Sequence, residues 1–570
     1  MRLTRRKFLQ ISAAFTATLY VKGRRRLSAA EAQDYLAGLK IEYGEHSTTI
    51  CLYCSVGCGQ IVTTRQGKVV NIEGDPDHPI NRGALCSKGC AVYQVVNNER
   101  RLTTVKYRAP RSDRWEEVDW EFALARIAAR IRETRDATWV ARDAEGRAVN
   151  HTDGLAILGC AIVNNEECYL IHKLARALGV VYLEHQARLC HSSTVAALAD
   201  SFGRGAMTNH WIDIANSDCM MVIGSNVAEN HPVAFRWINE ARKKGAKLIS
   251  VDPRFTRTSA TAEIYAPMCS GTDIAFIGGI VNYVLENGLY NKEYVAEFTN
   301  ASYLINPEFR FEAGPPSGYD PVAARYDQSS WTYQKDAAGV PRRDMELAHP
   351  DCVFSRLKEH FARYDLDTVS QVTGTPKETF IAVAETFTAT GAPNKAGTIM
   401  YSMGTTQHTK AAQNIRSYAV LQLLLGNVGI AGGGINAMRG ISNVQGSTDH
   451  ALLFHLLPGY MRLPTVEETS LAEYLKRRVR VSEDPRSVNY WRNTPQFLVS
   501  QLKAFYGEAA RPENDFCYDY LPRLTKDCSF LSLVQALYAG TIQGILCVGT
   551  NPAVSGAQAD AVRKGLDNLQ

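Results

Sequence analysis

Two apolar segments of nearly the same design constrain the fold more than any other feature of this chain. CMMVIGSN (219–226) ends in Gly-Ser-Asn, and GILCVGTNP (544–552) ends in Gly-Thr-Asn. After the first, HPVAFRWINEARKKG has helical spacing, with Pro232 near its start and Gly245 at its end, and AKLISVDPR (246–254) is another apolar run. A strand, a helix and a second strand in this order predict a β-α-β unit and therefore a parallel sheet.

A further strand and helix extend the same pattern. DGLAILGC (153–160) is a short apolar run, and NNEECYLIHKLARALG follows it with helical spacing. The chain has 570 residues, which is enough for several domains with their own cores. We therefore predict an α/β protein of more than one domain. The near-repeat of Gly-Ser-Asn and Gly-Thr-Asn indicates two similar nucleotide-binding halves.

Composition argues against two classes of partner. The net charge of +5 is small for this length, and the chain has no block of basic residues, so we predict no nucleic-acid partner. No uninterrupted apolar run reaches membrane-spanning length, so we also predict no transmembrane helix.

The N-terminus predicts an export signal. Arg5 and Arg6 precede a moderately apolar run, and Ala30 and Ala32 follow it in an A-x-A arrangement. This order of features is typical of a twin-arginine signal, which we assign to residues 1–33, and it predicts a periplasmic protein. The alternative is a basic, amphipathic first helix of the mature protein.

The cysteine spacing predicts a metal or iron–sulfur site. Cys51, Cys54, Cys58 and Cys86 follow the pattern C-x2-C-x3-C-x27-C. Short spacings let a tight loop aim its sulfurs at one point, and the distant cysteine closes the site. Zinc would accept the same four thiolates, and a pair of disulfides is a further alternative, although cysteines this close rarely pair with each other. Cys90 competes for the fourth position.

Lys88 lies two residues after Cys86. A solvated surface lysine is the usual role of this residue type. The functional alternative is a cation that stands between an anionic cluster and a second redox centre.

Polar residues and glycines follow several of the predicted strands. In open α/β sheets ligands bind beyond the carboxyl ends of the strands, where glycine permits close backbone approach and a helix N-terminus favours anions. Ordinary turn chemistry explains any one of these residues equally well. The candidates for nucleotide binding are Gly224, Asn226, Asp252, Gly271, Asp273, Gly549 and Asn551.

Three residues are candidates for the reacting centre. Cys190 and His191 are adjacent in QARLCHSSTVAAL, just before a predicted helix, and Arg439 lies in the glycine-rich segment GNVGIAGGGINAMRGISNVQGSTD. A thiolate at a helix start is favoured by the helix dipole and binds metals. An arginine in such a loop can take a carboxylate with a bidentate fork. Alone, the cysteine is more simply a buried packing residue and the arginine a salt-bridged or capping one.

Together these motifs resemble the catalytic subunit of respiratory, exported formate dehydrogenases, which belong to the molybdopterin-guanine-dinucleotide oxidoreductases. The resemblance covers nearly the whole chain after the signal. It rests on the cysteine cluster, Lys88, ARLCH, FGRGAMTNHW, VIGSNVAENHP, VDPRFTRT, SGTDIAF and RGISNVQG. The cluster and nucleotide motifs are shared with the wider family, including periplasmic nitrate reductases, whereas the Cys-His pair and the Arg-Gly segment are typical of formate dehydrogenases.

The resemblance implies a role for each motif. The four clustered cysteines would ligate a [4Fe-4S] cluster, and Lys88 would lie between that cluster and one pterin. Cys190 would ligate molybdenum or tungsten, His191 would handle the proton, and Arg439 would orient formate. The polar residues at the strand ends would bind the two guanine dinucleotides of a bis(molybdopterin guanine dinucleotide) cofactor.

The resemblance also implies domains and partners. The family has a small cluster domain, two Rossmann-like α/β domains and a C-terminal barrel-like domain, and we expect this chain to lack the last and to truncate one α/β domain. Electrons would pass to an iron–sulfur beta subunit and a membrane cytochrome b subunit, with a separate C-terminal polypeptide as a further partner. The expected domains are 44–106 for the cluster, 107–185 with 441–570 for the first α/β domain, and 186–440 for the second, which carries Cys190.

Two rival hypotheses remain at this point. One is a family member with another substrate, such as a nitrate reductase, and the position of His191 directly after Cys190 argues against it. The other is a non-catalytic fragment or electron-transfer subunit, which the end at Gln570 favours and the presence of Cys190, His191 and Arg439 opposes.

Overall fold

The computed structural model describes residues 41–312 and 316–569. The predicted signal at 1–33 lies outside the described residues. The chain divides into two compact units, one formed by 41–52 with 57–102 and the other by 53–56 with 103–569.

The first unit is a small antiparallel sheet with one helix. β1 (Glu45–Ile50), β2 (Gly59–Arg65) and β3 (Lys68–Gly74) pair in that order, and α1 (Ser87–Val96) follows. Gln66 and Gly67 join β2 to β3, and both have positive φ, as a two-residue hairpin turn requires.

A five-stranded parallel sheet forms the larger core of the second unit. Its order is β11-β10-β9-β14-β15, and every neighbouring pair is parallel. β9 is buried at all five positions, which explains its continuous apolar sequence. The strands of this sheet are β9 (Cys219–Ile223), β10 (Lys247–Val251), β11 (Ile264–Ala266), β14 (Gly397–Tyr401) and β15 (Gly434–Ala437).

A four-stranded sheet lies elsewhere in the same unit. β7 pairs in parallel with β8 and β18 and antiparallel with β6. Among the described residues, β18 pairs with β7 alone, so its other edge carries no strand. The strands are β6 (Trp139–Arg142), β7 (Ala148–Gly159), β8 (Val180–His185) and β18 (Gly544–Cys547).

Short strand pairs and helices complete the second unit. The pairs are β4 (Val105–Tyr107) with β5 (Glu116–Val118), β12 (Tyr319–Asp320) with β13 (Arg325–Tyr326), and β16 (Leu456–Leu457) with β17 (Met461–Arg462). The helices are α2 (Trp120–Ala137), α3 (Asn165–Ala177), α4 (Ala187–Phe202), α5 (Val227–Asn230), α6 (Phe235–Lys243), α7 (Asp273–Glu286), α8 (Lys292–Phe298), α9 (Val353–Phe361), α10 (Leu366–Thr373), α11 (Lys377–Thr388), α12 (Met403–Thr406), α13 (Ala411–Leu424), α14 (Val444–Asp449), α15 (Leu471–Arg478), α16 (Thr494–Tyr506), α17 (Phe530–Tyr538), α18 (Pro552–Ser555) and α19 (Ala559–Leu566).

The predicted β-α-β unit is present as β9, α6 and β10, with the two strands parallel and in contact. The strands predicted in DGLAILGC and GILCVGTNP lie side by side as β7 and β18. The α/β class is therefore confirmed. None of the helices in 41–312 and 316–569 combines the length and the apolar character needed to cross a bilayer.

Candidate functional site

The carboxyl edge of the five-stranded sheet contains a topological switch point. β10 and β11 lie on one side of the β9–β14 pair and β15 lies on the other, so the strand order reverses direction between β9 and β14. Ligands of open α/β sheets bind in the crevice at such a switch point. Gly224 follows β9 and accepts a 3.1 Å hydrogen bond from the Gly404 amide. A Cβ on Gly224 would lie 2.8 Å from the Gly404 carbonyl carbon, and its φ of +60° also favours glycine. The two backbones therefore meet closely at the crevice.

Two of the predicted nucleotide-binding residues lie beyond neighbouring strands at this edge. Asn226 is buried, and its Oδ1 accepts a hydrogen bond of 3.0 Å from the Thr258 hydroxyl. Asp252 is half-buried after β10, and its carboxylate accepts the Arg254 amide at 2.9 Å. Burial raises the pKa of Asp252 above its ordinary value, with the Arg254 contacts opposing this. Asn226 is therefore held by a residue 32 positions away, whereas Asp252 is held by its own turn.

The other predicted nucleotide-binding residues are divided between the two sheets. Gly271, with φ +85°, precedes α7, where Asp273 is buried and accepts a 3.0 Å hydrogen bond from the Tyr418 hydroxyl. Burial raises the pKa of Asp273. Gly549 and the exposed Asn551 follow β18 of the four-stranded sheet, and a Cβ on Gly549 would lie 3.1 Å from Cys160 Cβ. These positions remain predictions as ligand contacts.

Cys190 and His191 lie within α4, at a break in the helix. The φ and ψ angles of His191, −127° and 24°, are not helical, so a second helical part begins after it. Cys190 is half-buried, and its Sγ is 3.5 Å from the Met403 Sδ on α12. Burial raises the pKa of the Cys190 thiol, while the Gly440 backbone and the Arg439 guanidinium lower it in part.

His191 is held by a chain of buried hydroxyl groups. Its Nδ1 is 2.8 Å from Thr194 Oγ1, which is 2.9 Å from the Tyr401 hydroxyl at the end of β14. Nε2 has no hydrogen-bond partner among the described residues. The pKa of His191 lies well below its ordinary value because burial disfavours the cation and the Arg439 guanidinium repels it, and the Met438 backbone offsets part of this. The imidazole is therefore neutral and available at Nε2.

Arg439 follows β15, with a side chain that is only 3% exposed. Nη2 donates to the Gly205 carbonyl at 3.3 Å, whereas Nη1 has no hydrogen-bond partner in the described part of the chain. The Arg439 carbonyl accepts His231 Nε2 at 2.8 Å and the Ser55 amide at 3.3 Å. A buried cationic donor without a partner is costly, and a bound anion would satisfy it.

His191 and Arg439 line one cavity of about 1220 Å³. Five further arginines contribute to its wall, which gives the cavity a cationic character suited to small anions. They are Arg188, Arg204, Arg462, Arg478 and Arg480. Arg439 also lines a second cavity of about 240 Å³ with Ser55, Met207 and Gln445.

The predicted cluster ligands divide between the two units. Cys51, Cys58 and Cys86 belong to the first unit, and Cys54 lies in the 53–56 stretch of the second. The Cys51 amide donates to the Cys58 carbonyl at 2.8 Å, and Cys86 is the N-cap residue of α1. In the described residues, His, Cys, Asp and Glu side chains form no group of three or more arranged to hold a metal ion. The ligand set therefore remains a prediction, as does the role of the half-buried Lys88.

Several residues of the site did not emerge from the sequence. Thr194 and Tyr401 orient His191, Met403 contacts Cys190, and His231 fixes the Arg439 backbone. The sequence contains one signal for Tyr401 and Met403. Their segment, GTIMYSMG, is an apolar strand followed by a turn with glycine, as are the segments around Gly224 and Gly549.

These observations fit an anionic cofactor and an anionic substrate. Arg439 Nη1 and His191 Nε2 are buried without a hydrogen-bond partner in the described residues, and an anion in the cavity that both residues line would satisfy the arginine. The cysteine set supplies the soft thiolates that iron prefers.

Two family models match the chain. Residues 46–98 match the Fe4S4 domain of molybdopterin oxidoreductases, and residues 100–570 match the molybdopterin oxidoreductase model. These matches confirm the predicted cofactor classes, a molybdopterin centre with molybdenum or tungsten and a [4Fe-4S] cluster.

The chain is also similar to curated proteins and to a solved structure. It is 49% identical to the formate dehydrogenase subunit alpha of Megalodesulfovibrio gigas and 48% identical to the formate dehydrogenase 2 subunit alpha (cytochrome c-553) of Nitratidesulfovibrio vulgaris. Each match covers 100% of this chain and 56% of the relative, so the chain spans about half the length of these relatives. Acetylene hydratase from Pelobacter acetylenicus matches with a TM-score of 0.58 at 17% identity, covering 92% of this chain and 59% of that one, which shows the fold alone.

Proposed function

Because the chain belongs to the molybdopterin oxidoreductase family, we propose that it forms the formate-oxidising centre of a formate dehydrogenase. The observation that carries the proposal is the arrangement around the cationic cavity. His191 and Arg439 each present an unpartnered buried nitrogen, and Cys190 is adjacent to His191 on α4. Similarity to formate dehydrogenase alpha subunits over the whole chain supports the substrate.

The predicted ligands fit the two cofactors as follows. Cys51, Cys54, Cys58 and Cys86 would hold the [4Fe-4S] cluster, with Lys88 beside it. Cys190 would ligate the molybdenum or tungsten. The guanine dinucleotides would bind at the strand ends, through Gly224, Asn226, Asp252, Gly271, Asp273, Gly549 and Asn551. When bound, the metal centre supplies the two-electron redox chemistry that no side chain can provide.

The residues of the cavity would bind formate and accept its proton. Formate loses two electrons and one proton to become carbon dioxide. Arg439 would hold the carboxylate through Nη1, since Nη2 is already engaged by Gly205. His191 would take the proton at Nε2, because its imidazole is neutral and Thr194 fixes the other nitrogen. The arginines of the wall would attract formate into the cavity.

The finer assignments belong to the same proposal. We propose export through the twin-arginine signal at 1–33 to the periplasm, and electron transfer to an iron–sulfur beta subunit and a membrane cytochrome b subunit. The order of features at the N-terminus supports the export signal, and the name of the formate dehydrogenase-O major subunit of Escherichia coli, 45% identical to this chain, supports further subunits. We also propose the domain boundaries 44–106, 107–185 with 441–570, and 186–440.

The test is formate oxidation by protein purified without oxygen. Because the relatives are longer, the chain should be expressed both alone and with a polypeptide that supplies their remaining length. Metal, iron and pterin contents are measured in each preparation, followed by formate-dependent and nitrate-dependent turnover with a viologen dye. We expect formate oxidation in the metal-loaded preparation. Nitrate turnover without formate turnover would contradict the proposal.

A further inference from the structure

The segment between α15 and α16 forms one wall of the cationic cavity. We call residues 479–491 the strap. Eight of its residues line the cavity, which His191 and Arg439 also line. They are Arg480, Val481, Ser482, Ser487, Val488, Asn489, Tyr490 and Trp491.

The strap contains a loop that is closed by a single side chain. The Asn489 amide donates to the Ser482 carbonyl at 2.9 Å, and its Oδ1 accepts the Ser482 amide at 2.7 Å. Asn489 has φ +47°, a left-handed conformation that asparagine tolerates better than most residues. The two ends of the 482–489 loop are therefore joined by the Asn489 side chain.

A polar contact ties this loop to another part of the second unit. Asp484 is buried, and its carboxylate accepts Arg486 Nη2 at 2.6 Å and the Tyr303 hydroxyl at 2.5 Å. Arg486 also donates to the Tyr303 hydroxyl at 3.1 Å and to the Glu297 carbonyl at 3.1 Å. Arg486 holds the pKa of Asp484 well below its usual range, so the carboxylate is ionised at neutral pH.

Apolar packing anchors the C-terminal end of the strap but not its middle. Trp491 packs against a buried apolar cluster, and the Tyr490 ring lies 5.4 Å from that of Phe497. Val481 and Val488 are 56% and 91% exposed, so neither anchors the segment in a core. Tyr303, in contrast, is held by its own surroundings, since its ring packs at 4.8 Å against Tyr333. A stretch with few buried apolar contacts opens locally at low free-energy cost, so the polar contact of Asp484 decides the position of the middle of the strap.

We propose that Tyr303 and Asp484 are positioning residues that pin the strap over the cavity and so control the entry of substrate. They lie 181 positions apart in the chain. Tyr303 contacts the strap at Asp484 and Arg486. The proposal rests on the proposed function only in taking this cavity as the one where formate reacts.

A thiol introduced into the cavity reports on access without any turnover. Ser192 lines the cavity and is half-buried, so Ser192→Cys changes only a hydroxyl to a thiol there. Alkylation at position 192 is followed by peptide mass spectrometry in the full 570-residue chain, with small iodoacetamide and with a bulky fluorescein maleimide. Exposed Cys269 in the same molecule gives the reference rate, and buried Cys219 reports unfolding.

In this background Tyr303→Phe and Asp484→Asn should accelerate bulky labelling at position 192 about tenfold relative to Cys269. Loss of one hydrogen bond to a charged group supports a change of this size. Iodoacetamide labelling should change less, because a small reagent already enters. The matched controls, Tyr319→Phe and Asp367→Asn, remove an exposed hydroxyl and an exposed ion-pair partner and should leave the rates unchanged.

Unchanged bulky labelling in both variants would overturn the proposal, and so would equal acceleration of both reagents, which indicates general loosening. If Cys219 becomes reactive in Asp484→Asn, that variant is partly unfolded. The labelling rate of Tyr303→Phe then tests the proposal, because this variant keeps the aromatic packing. Since the readout is labelling, a failure here is distinguishable from a failure of formate oxidation.

Discussion

Replacing Arg439 by lysine separates the geometry of the proposed substrate site from its charge. The side chain is 3% exposed, Nη2 is engaged by the Gly205 carbonyl, and Nη1 has no partner in the described residues. Lysine keeps the positive charge, but it lacks the planar guanidinium that lets one nitrogen bind the Gly205 carbonyl while the other is presented to formate. A hydrogen bond to a charged group is worth about 1.5–3 kcal/mol, so loss of one donor to the carboxylate should lower kcat/KM for formate about 10–150-fold.

The assay is steady-state formate oxidation by the loaded enzyme, with rates normalised to bound metal and iron so that poor cofactor loading does not count as slow chemistry. Arg416→Lys is the matched control, because Arg416 is exposed and pairs only loosely with Asp200 at 3.5 Å. We expect the control to match the wild type. A kcat/KM for Arg439→Lys within threefold of the wild type would refute the assigned role of the guanidinium.

The remaining predictions concern the cluster, the base and one buried carboxyl group. Cys54→Ser should abolish the iron–sulfur absorbance of anaerobically purified protein, whereas zinc in place of iron in the intact wild type would show the cluster assignment to be wrong. His191→Ala should lower formate turnover about 10²–10⁴-fold, and near-normal turnover would remove His191 from the mechanism. Burial raises the pKa of Glu184 to about 7 despite its contact with Arg188. Between about pH 4.5 and 7, Glu184 in the unfolded chain, with the ordinary pKa of 4.5, binds fewer protons than Glu184 in the folded chain. The free energy of unfolding should therefore fall as the pH rises through this range, by up to about 3 kcal/mol. Urea unfolding should show this slope in the wild type and a flatter one in Glu184→Gln, and a flat wild-type profile would contradict it.

Four of the parallel strands, β7, β9, β10 and β18, were predictable because each is a largely apolar run that ends in a glycine-containing or polar turn. β9 and β10 are almost entirely buried, which is why neither alternates apolar and polar residues. Their order in the sheet was not predictable in this way. β14 lies beside β9 although the two strands are separated by more than 170 residues, and that neighbour relation creates the crevice at Gly224.

The site was predictable only in part for the same reason. Cys190 and His191 are adjacent in the chain, and the family resemblance indicated Arg439, but several of the groups that contact them lie far away in the sequence. Thr194 and Tyr401 are separated by 207 positions, and no local pattern connects them. The break at His191 also has no signal in the sequence, since ARLCHSSTV has no glycine or proline.

The most direct test of the account is reduction of the cluster by formate in a single turnover. Wild-type and Cys190→Ala proteins, purified anaerobically with metal and cluster loaded, are mixed with formate while the iron–sulfur absorbance is followed, and dithionite is added at the end. We expect formate to bleach the wild type and to leave Cys190→Ala unchanged, while dithionite bleaches both. Equal bleaching of the two proteins by formate, or a wild type that dithionite bleaches and formate does not, would contradict it.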